Sequence, residues 1–110
     1  MNGTQIVSIL KHARERVARR WVQNKAEDPL GGVCSAQAIQ YGVLDVFGVT
    51  DREQIENAGQ QLLVAAREQT GLVWFNIPQW NDAEQRTQQD VLDTFDYAIK
   101  TAERDMEDTK

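Results

Sequence analysis

The chain of 110 residues is 41% hydrophobic and 26% charged, with a formal net charge of −5, and these values predict one soluble globular domain. It contains no apolar run near the roughly 20 residues that span a bilayer, and its amino terminus lacks the basic and apolar regions of a signal peptide. Its single cysteine excludes an internal disulfide and its single histidine excludes the common zinc frameworks, so we expect a cytoplasmic protein without membrane contact, metal or cofactor.

The first predicted helix covers residues 4–25, with Thr4 as its N-cap. Its apolar residues recur at steps of three and four positions and form one narrow arc. They are Ile6, Leu10, Ala13, Val17 and Trp21. The sequence EDPLGG then ends the helix, because Pro29 cannot continue its backbone hydrogen bonds and the two following glycines permit a sharp turn.

The second and third predicted helices cover residues 34–47 and 51–70. Gly48 suits the end of one and Gly71 the end of the other, because glycine readily adopts the left-handed conformation that terminates many helices. Between them, the sequence TDRE has the pattern of a capping box in which Thr50 accepts from the helix and the glutamate reaches back.

An aromatic connector, LVWFNIPQWNDAEQRT, occupies residues 72–87 and has neither a helical nor a strand period. The last predicted helix covers residues 88–106 and begins after Thr87, whose spacing from Asp90 resembles an N-terminal cap. The chain is therefore predicted to be all-α. We expect a compact four-helix bundle-like single domain over residues 1–110, with the aromatic connector before the last helix.

The charge is unevenly distributed along the chain. Residues 1–25 carry a net charge of +5 and the remainder carries −10. The basic residues of the first part are Lys11, Arg14, Arg16, Arg19, Arg20 and Lys25. They are spread around the predicted helix, whereas a helix that binds nucleic acid would align them to neutralise phosphates. We therefore favour pairing with the acidic helices, and keep a nucleic-acid accessory protein using the first helix as an alternative.

Cys34 and His12, each the only residue of its type, are the candidate nucleophile and base. A helix N-terminus favours the thiolate, but catalysis also requires the imidazole within hydrogen-bond reach. His12 lies away from the apolar arc of its helix, and free cysteines are commonly buried. We predict no catalytic residues and a structural Cys34, with a cysteine-dependent hydrolase or transferase using Cys34 as the alternative.

The motif Trp80-Asn81-Asp82 is the most specific feature of the connector. Either Asn81 or Asp82 can cap a short turn by accepting nearby backbone amides, and Trp80 can then fold back on the core. Together with Thr87 at the start of the last helix, these residues are predicted to form a structural motif.

A second interpretation makes the connector a contact surface. Trp74, Phe75 and Trp80 would then form an exposed aromatic patch that binds a protein partner or a second copy of the chain. Because Trp80 is the better structural anchor, Trp74 and Phe75 are the stronger candidates for contact.

A wider pattern combines a cysteine–alanine helix with a later Trp-Asn-Asp motif and the helix that follows it. Its members are Cys34, Ala38, Ile39, Trp80, Asn81, Asp82, Arg86, Thr87, Asp90, Val91, Phe95 and Ala98. Over about residues 30–102, this pattern resembles a family of small uncharacterised proteins of bacteria, notably actinobacteria, and of bacteriophages. Gln37 stands where that family often has glycine. The resemblance implies a bacterial or phage setting and no established activity.

These observations lead to one preferred function. We predict a non-enzymatic cytoplasmic protein that acts by protein–protein interaction, in a bacterial cell or as a phage accessory protein in an infected cell.

Overall fold

The computed structural model describes residues 3–108, apart from the side chain of Asp108. It contains five helices, α1 (Gly3–Arg19), α2 (Ser35–Phe47), α3 (Arg52–Thr70), α4 (Ile77–Asn81) and α5 (Gln88–Asp108). Two isolated β-bridges occur among these residues, but no strand. The all-α prediction is therefore confirmed. The additional helix, α4, is a short one inside the aromatic connector.

The packing of α1 sets the centre of the core. α1 lies against α2 and α5, while α3 packs mainly against α5 and α4 contacts α2 and α3. Six residues of α1 are buried, namely Ile6, Val7, Ile9, Leu10, Ala13 and Val17. The Cα radius of gyration is 13.0 Å, as expected for a compact domain of about 100 residues. No helix in the described range combines the length and apolar character needed to cross a membrane.

A glycine allows the close approach of α1 and α2. A Cβ atom added at Gly42 would lie only 2.7 Å from the backbone carbonyl oxygen of Ile9. Gly42 thus weakens the helix in which it lies, as its low helix propensity implies, but it permits the two backbones to meet.

α1 ends at Arg19, whereas the sequence predicts a helix that continues to residue 25. The chain instead becomes extended and pairs with Val33. The Val33 amide donates to the carbonyl of Arg20, and the Val33 carbonyl accepts from the amide of Val22, both at 3.1 Å. These tertiary hydrogen bonds replace helical ones. The apolar periodicity of the sequence does not indicate them.

Asp28 closes the turn that brings Val33 back to this position. Its Oδ1 accepts the amides of Leu30 and Gly32 at 3.1 and 2.7 Å, and its Oδ2 accepts from the Arg20 guanidinium at 2.8 Å. Gly31, at φ = 88°, supplies the left-handed residue of the turn.

Thr4 lies inside α1, which begins at Gly3, so the prediction of Thr4 as its N-cap is wrong. The ends of α2 and α3 agree with the sequence except at one cap. Gly48 and Gly71 end α2 and α3 in the left-handed conformation, with φ of 76° and 73°. The N-cap of α3, however, is Asp51 and not Thr50, since the Asp51 carboxylate accepts the amide of Gln54 at 3.2 Å. The predicted cap is thus displaced by one residue, and the reciprocal bond of a capping box does not form there, because Gln54 Oε1 has no hydrogen-bond partner in the described part of the chain.

Candidate functional site

Hydrogen bonds from α3 hold the first part of the aromatic connector. The carbonyl of Trp74 accepts two of them from Arg67, from Nε at 3.1 Å and from Nη2 at 2.8 Å. The indole N–H of Trp74 donates to Thr70 Oγ1 at 2.9 Å, and Trp74 is half-buried. The last turn of α3 therefore fixes both the backbone and the ring of Trp74.

Three apolar side chains beside Trp74 project into solvent, and we call them the apolar tip. They are Leu72, Val73 and Phe75, with exposed fractions of 57%, 77% and 80%. The peptide group that joins Trp74 to Phe75 is fixed on its amide side as well, because the Phe75 amide donates to Gln79 Oε1 at 2.7 Å. Asn76 caps α4 by accepting the Gln79 amide at 2.8 Å. The tip is thus an apolar surface on an ordered backbone.

Trp80, which the contact interpretation placed in the same patch, has no exposed surface and belongs to the core. Arg86 lies against it, with its guanidinium carbon 5.2 Å from the Trp80 ring centroid and 5.3 Å from that of Trp74. Its Nε donates to the Trp80 carbonyl at 3.0 Å. Burial lowers the pKa of Arg86, and the charge of Asp90 partly opposes this shift. In this fold Trp80 therefore cannot touch a partner.

Asn81 is also buried, and it joins three parts of the chain. Its Oδ1 accepts from the Trp21 indole at 2.7 Å and from the amide and hydroxyl of Ser35 at 3.0 and 2.6 Å. Its Nδ2 donates to the Val22 carbonyl at 3.2 Å and to Asp82 Oδ1 at 2.8 Å. The sequence suggested that Asn81 caps a local turn, but its side chain does not do so. It forms hydrogen bonds with residues far away in the chain.

Residues on either side of Asn81 strengthen this connection. Asp82 Oδ1 accepts the amide of Asn24 at 2.8 Å. Gln23 Nε2 donates to the carbonyls of Asn81 and Ala83 at 3.0 and 3.1 Å. We refer to this network as the Asn81 clasp, and it holds the loop between α1 and α2 against the end of α4. Sequence reasoning missed it because Trp21 precedes Asn81 by 60 positions.

Thr87 starts α5 as its spacing predicts. Its hydroxyl accepts the Asp90 amide at 3.1 Å, while its own amide donates to Asp90 Oδ2 at 3.0 Å. These reciprocal bonds satisfy two donors at the helix start.

Cys34 lies at the N-cap of α2, where its Sγ accepts the amide of Gln37 at 3.4 Å. It is buried, with 8% of its surface exposed, and borders an open groove of about 350 Å³. His12 does not line that groove. Its Nδ1 lies 3.6 Å from a carboxylate oxygen of Asp45, and its side chain is half-exposed. The structure therefore does not join the two residues as a nucleophile and base.

Most basic residues of the first 25 positions pair with acidic groups. The ion pairs are Lys11–Glu103 at 3.6 Å, Arg14–Asp96 at 2.6 Å, Arg16–Asp45 at 2.9 Å and Arg20–Asp28 at 2.8 Å. This is the charge pairing that the sequence favours, and two of the pairs connect α1 to α5. Among the described residues, none forms an ion pair with Arg19.

Within residues 3–108, no group of three or more histidine, cysteine, aspartate or glutamate side chains is placed to hold a metal ion. The chain belongs to a family of unknown function, DUF6197, which matches residues 1–101. No curated protein and no solved structure matches it.

Proposed function

We propose that this member of the DUF6197 family acts by binding a protein partner through the apolar tip, and that it does so without catalysing a reaction. The exposure of Phe75, at 80%, is the single observation that supports this proposal most strongly. The resemblance noted in the sequence suggests the setting, which is the cytoplasm of a bacterial cell or of a phage-infected cell.

The apolar tip leaves a large apolar surface in contact with water. Phe75 leaves most of its surface in water, and Leu72 and Val73 each leave more than half of their surface there. Complete burial of such a side chain contributes about 1.5–3 kcal/mol. Aromatic residues that enter a pocket on the partner are also the usual hot spots of protein interfaces.

The ordered backbone of the tip supports the same proposal. Arg67 and Gln79 hold the two sides of one peptide group, the carbonyl of Trp74 and the amide of Phe75. At the other end of the tip, the Leu72 amide donates to Thr70 Oγ1 at 3.2 Å, so both ends are fixed. A surface that is already ordered loses less conformational entropy on binding than a flexible loop would. We therefore expect the partner to offer an apolar pocket for the Phe75 ring.

The proposal is tested by quantitative affinity capture from the native host, followed by measurement of the dissociation constant with the purified partner. Phe75→Ala should weaken binding about ten- to a hundredfold, because it removes the burial energy of one ring. Val49→Ala is the matched control, since Val49 is 61% exposed but lies between α2 and α3. It should leave binding unchanged.

Two further measurements make the result decisive. Unfolding of Phe75→Ala in urea should differ from that of the wild type by less than about 0.5 kcal/mol, because an exposed side chain contributes little to folding. Sedimentation of the wild type over a range of concentrations detects self-association through the tip. If no captured protein and no self-association depends on Phe75, the proposal is wrong.

A further inference from the structure

A pocket at the end of α1 gathers three arginines. Arg16, Arg19 and Arg20 line it together with Leu30 and Gly31 of the following turn, and its volume is about 350 Å³. This volume falls within the range of small-ligand sites. The pocket includes no residue of the apolar tip, so it is separate from the proposed protein contact.

The three guanidinium groups retain many unused donors. Each arginine carries five N–H bonds. In the hydrogen bonds of the described residues, Arg16 uses Nε and Nη2 toward Asp45, and Arg20 uses Nε alone toward Asp28. Arg19 is exposed and makes none of these bonds. Each of the three arginines that line the pocket therefore keeps N–H groups that these bonds do not use.

The neighbouring negative groups are already engaged. The carboxylate of Asp28 accepts two backbone amides of its own turn as well as Arg20, and these bonds lower the pKa of Asp28. Asp45 is held by Arg16. Three cations and two carboxylates leave a net positive charge of one at the pocket. That charge belongs to Arg19.

The end of a helix carries a partial negative charge that would oppose an anion. In α1 that charge is reduced, because side chain and backbone donors occupy its last carbonyl groups. Gln88 Nε2 donates to the carbonyls of Val17 and Ala18 at 2.7 and 3.3 Å. The Arg20 amide donates to the carbonyl of Arg16 at 3.2 Å.

We propose that this pocket binds the phosphate of a small organic phosphate monoester. A monoester presents three terminal oxygens and up to two negative charges, which suits several guanidinium groups better than a diester with two such oxygens and one charge. Leu30, with 75% of its surface exposed at the rim, offers an apolar contact to the organic part of the ligand. The competing ligand is a phosphodiester backbone, which also presents phosphate oxygens to the arginines.

The test is a titration with phenyl phosphate at constant ionic strength, followed by NMR of the backbone amides and the arginine Nε–H groups. We expect saturable shifts at Gly31 and at the three arginines. Arg19→Gln should weaken binding about tenfold, because it removes charged hydrogen bonds to the phosphate. Arg52→Gln is the matched control for the loss of one charge, since Arg52 is 92% exposed and pairs with Glu56 in its own helix. It should change the dissociation constant by less than twofold.

Two more arms separate the ligand sources. If Leu30 contacts the organic part of the ligand, Leu30→Ala should weaken the binding of phenyl phosphate and leave the binding of inorganic phosphate unchanged. A short oligothymidylate without a terminal phosphate tests the diester. Tighter binding of this oligonucleotide than of phenyl phosphate would overturn the assignment. So would the absence of saturable shifts, or equal effects of Arg19→Gln and Arg52→Gln.

Discussion

Asn81→Asp should destabilise the protein strongly, although it changes a single NH₂ group to oxygen. The three groups that donate to Asn81 Oδ1 can still donate to a carboxylate at that position. The two bonds that Asn81 Nδ2 donates, to the Val22 carbonyl and to Asp82 Oδ1, are lost. In their place an oxygen faces two acceptors, one of them on the carboxylate of Asp82.

The magnitude follows from these contacts. Each lost hydrogen bond removes about 1 kcal/mol of net stability. Two like charges about 4 Å apart repel by about 4 kcal/mol at an effective dielectric constant near 20. Asp82 is half-buried, so solvent screens part of this repulsion. We expect a loss of about 3–5 kcal/mol, which is a large part of the roughly 5–15 kcal/mol that stabilises an average domain.

The assay is urea unfolding at neutral pH, observed by far-ultraviolet circular dichroism and by tryptophan fluorescence, since the Trp21 indole bonds to Asn81. Asn76→Asp is the matched control. Asn76 is exposed and caps α4, where aspartate serves as well as asparagine, so its stability should stay near that of the wild type. Mild acid should narrow the difference between the two variants, because protonation removes the repulsion at position 81. If both variants unfold at the same urea concentration, the bonds of the Asn81 clasp do not contribute the expected stability.

Gly42→Ala should lower the free energy of unfolding by about 1–3 kcal/mol, because the new methyl group would lie 2.7 Å from the Ile9 carbonyl oxygen and force α1 and α2 apart. Gly59→Ala is the control in urea unfolding, because a Cβ atom at Gly59 would meet only the end of a side chain, at 3.4 Å. This variant should be as stable as the wild type or more stable by up to about 1 kcal/mol. Equal losses of stability in the two variants would contradict the close approach of α1 and α2 at Gly42. The hydrogen bond from Arg20 lowers the pKa of Asp28, so this carboxylate stabilises the fold above its ordinary pKa of about 4 and loses that contribution as pH falls through its lower native value. Urea midpoints measured at a series of pH values should therefore fall less steeply below about pH 4 for Asp28→Asn than for the wild type. If the two midpoints change with pH in parallel, Asp28 is not the group responsible.

Local chemistry explains which features could be predicted from the sequence. Glycine's tolerance of the left-handed conformation marked the ends of α2 and α3 at Gly48 and Gly71. The reciprocal spacing of Thr87 and Asp90 marked the start of α5. The cap of α3 shows the limit, because the sequence predicted Thr50 and the structure has Asp51. Two adjacent residues can each cap a helix, and only the backbone geometry selects one.

The sequence by itself determined the all-α class, the buried arc of α1 as far as Val17 and the pairing of its cations with acidic groups. Apolar periodicity and the balance of charge are properties of neighbouring residues, so they can be read along the chain. Tertiary structure alone decided that α1 stops at Arg19, that Asn81 bonds to residues around position 21, and that Trp74 is half-buried beside the exposed Phe75. Each of these depends on groups far apart in sequence that compete for the same hydrogen bonds or the same space in the core, and only the folded chain brings those groups together.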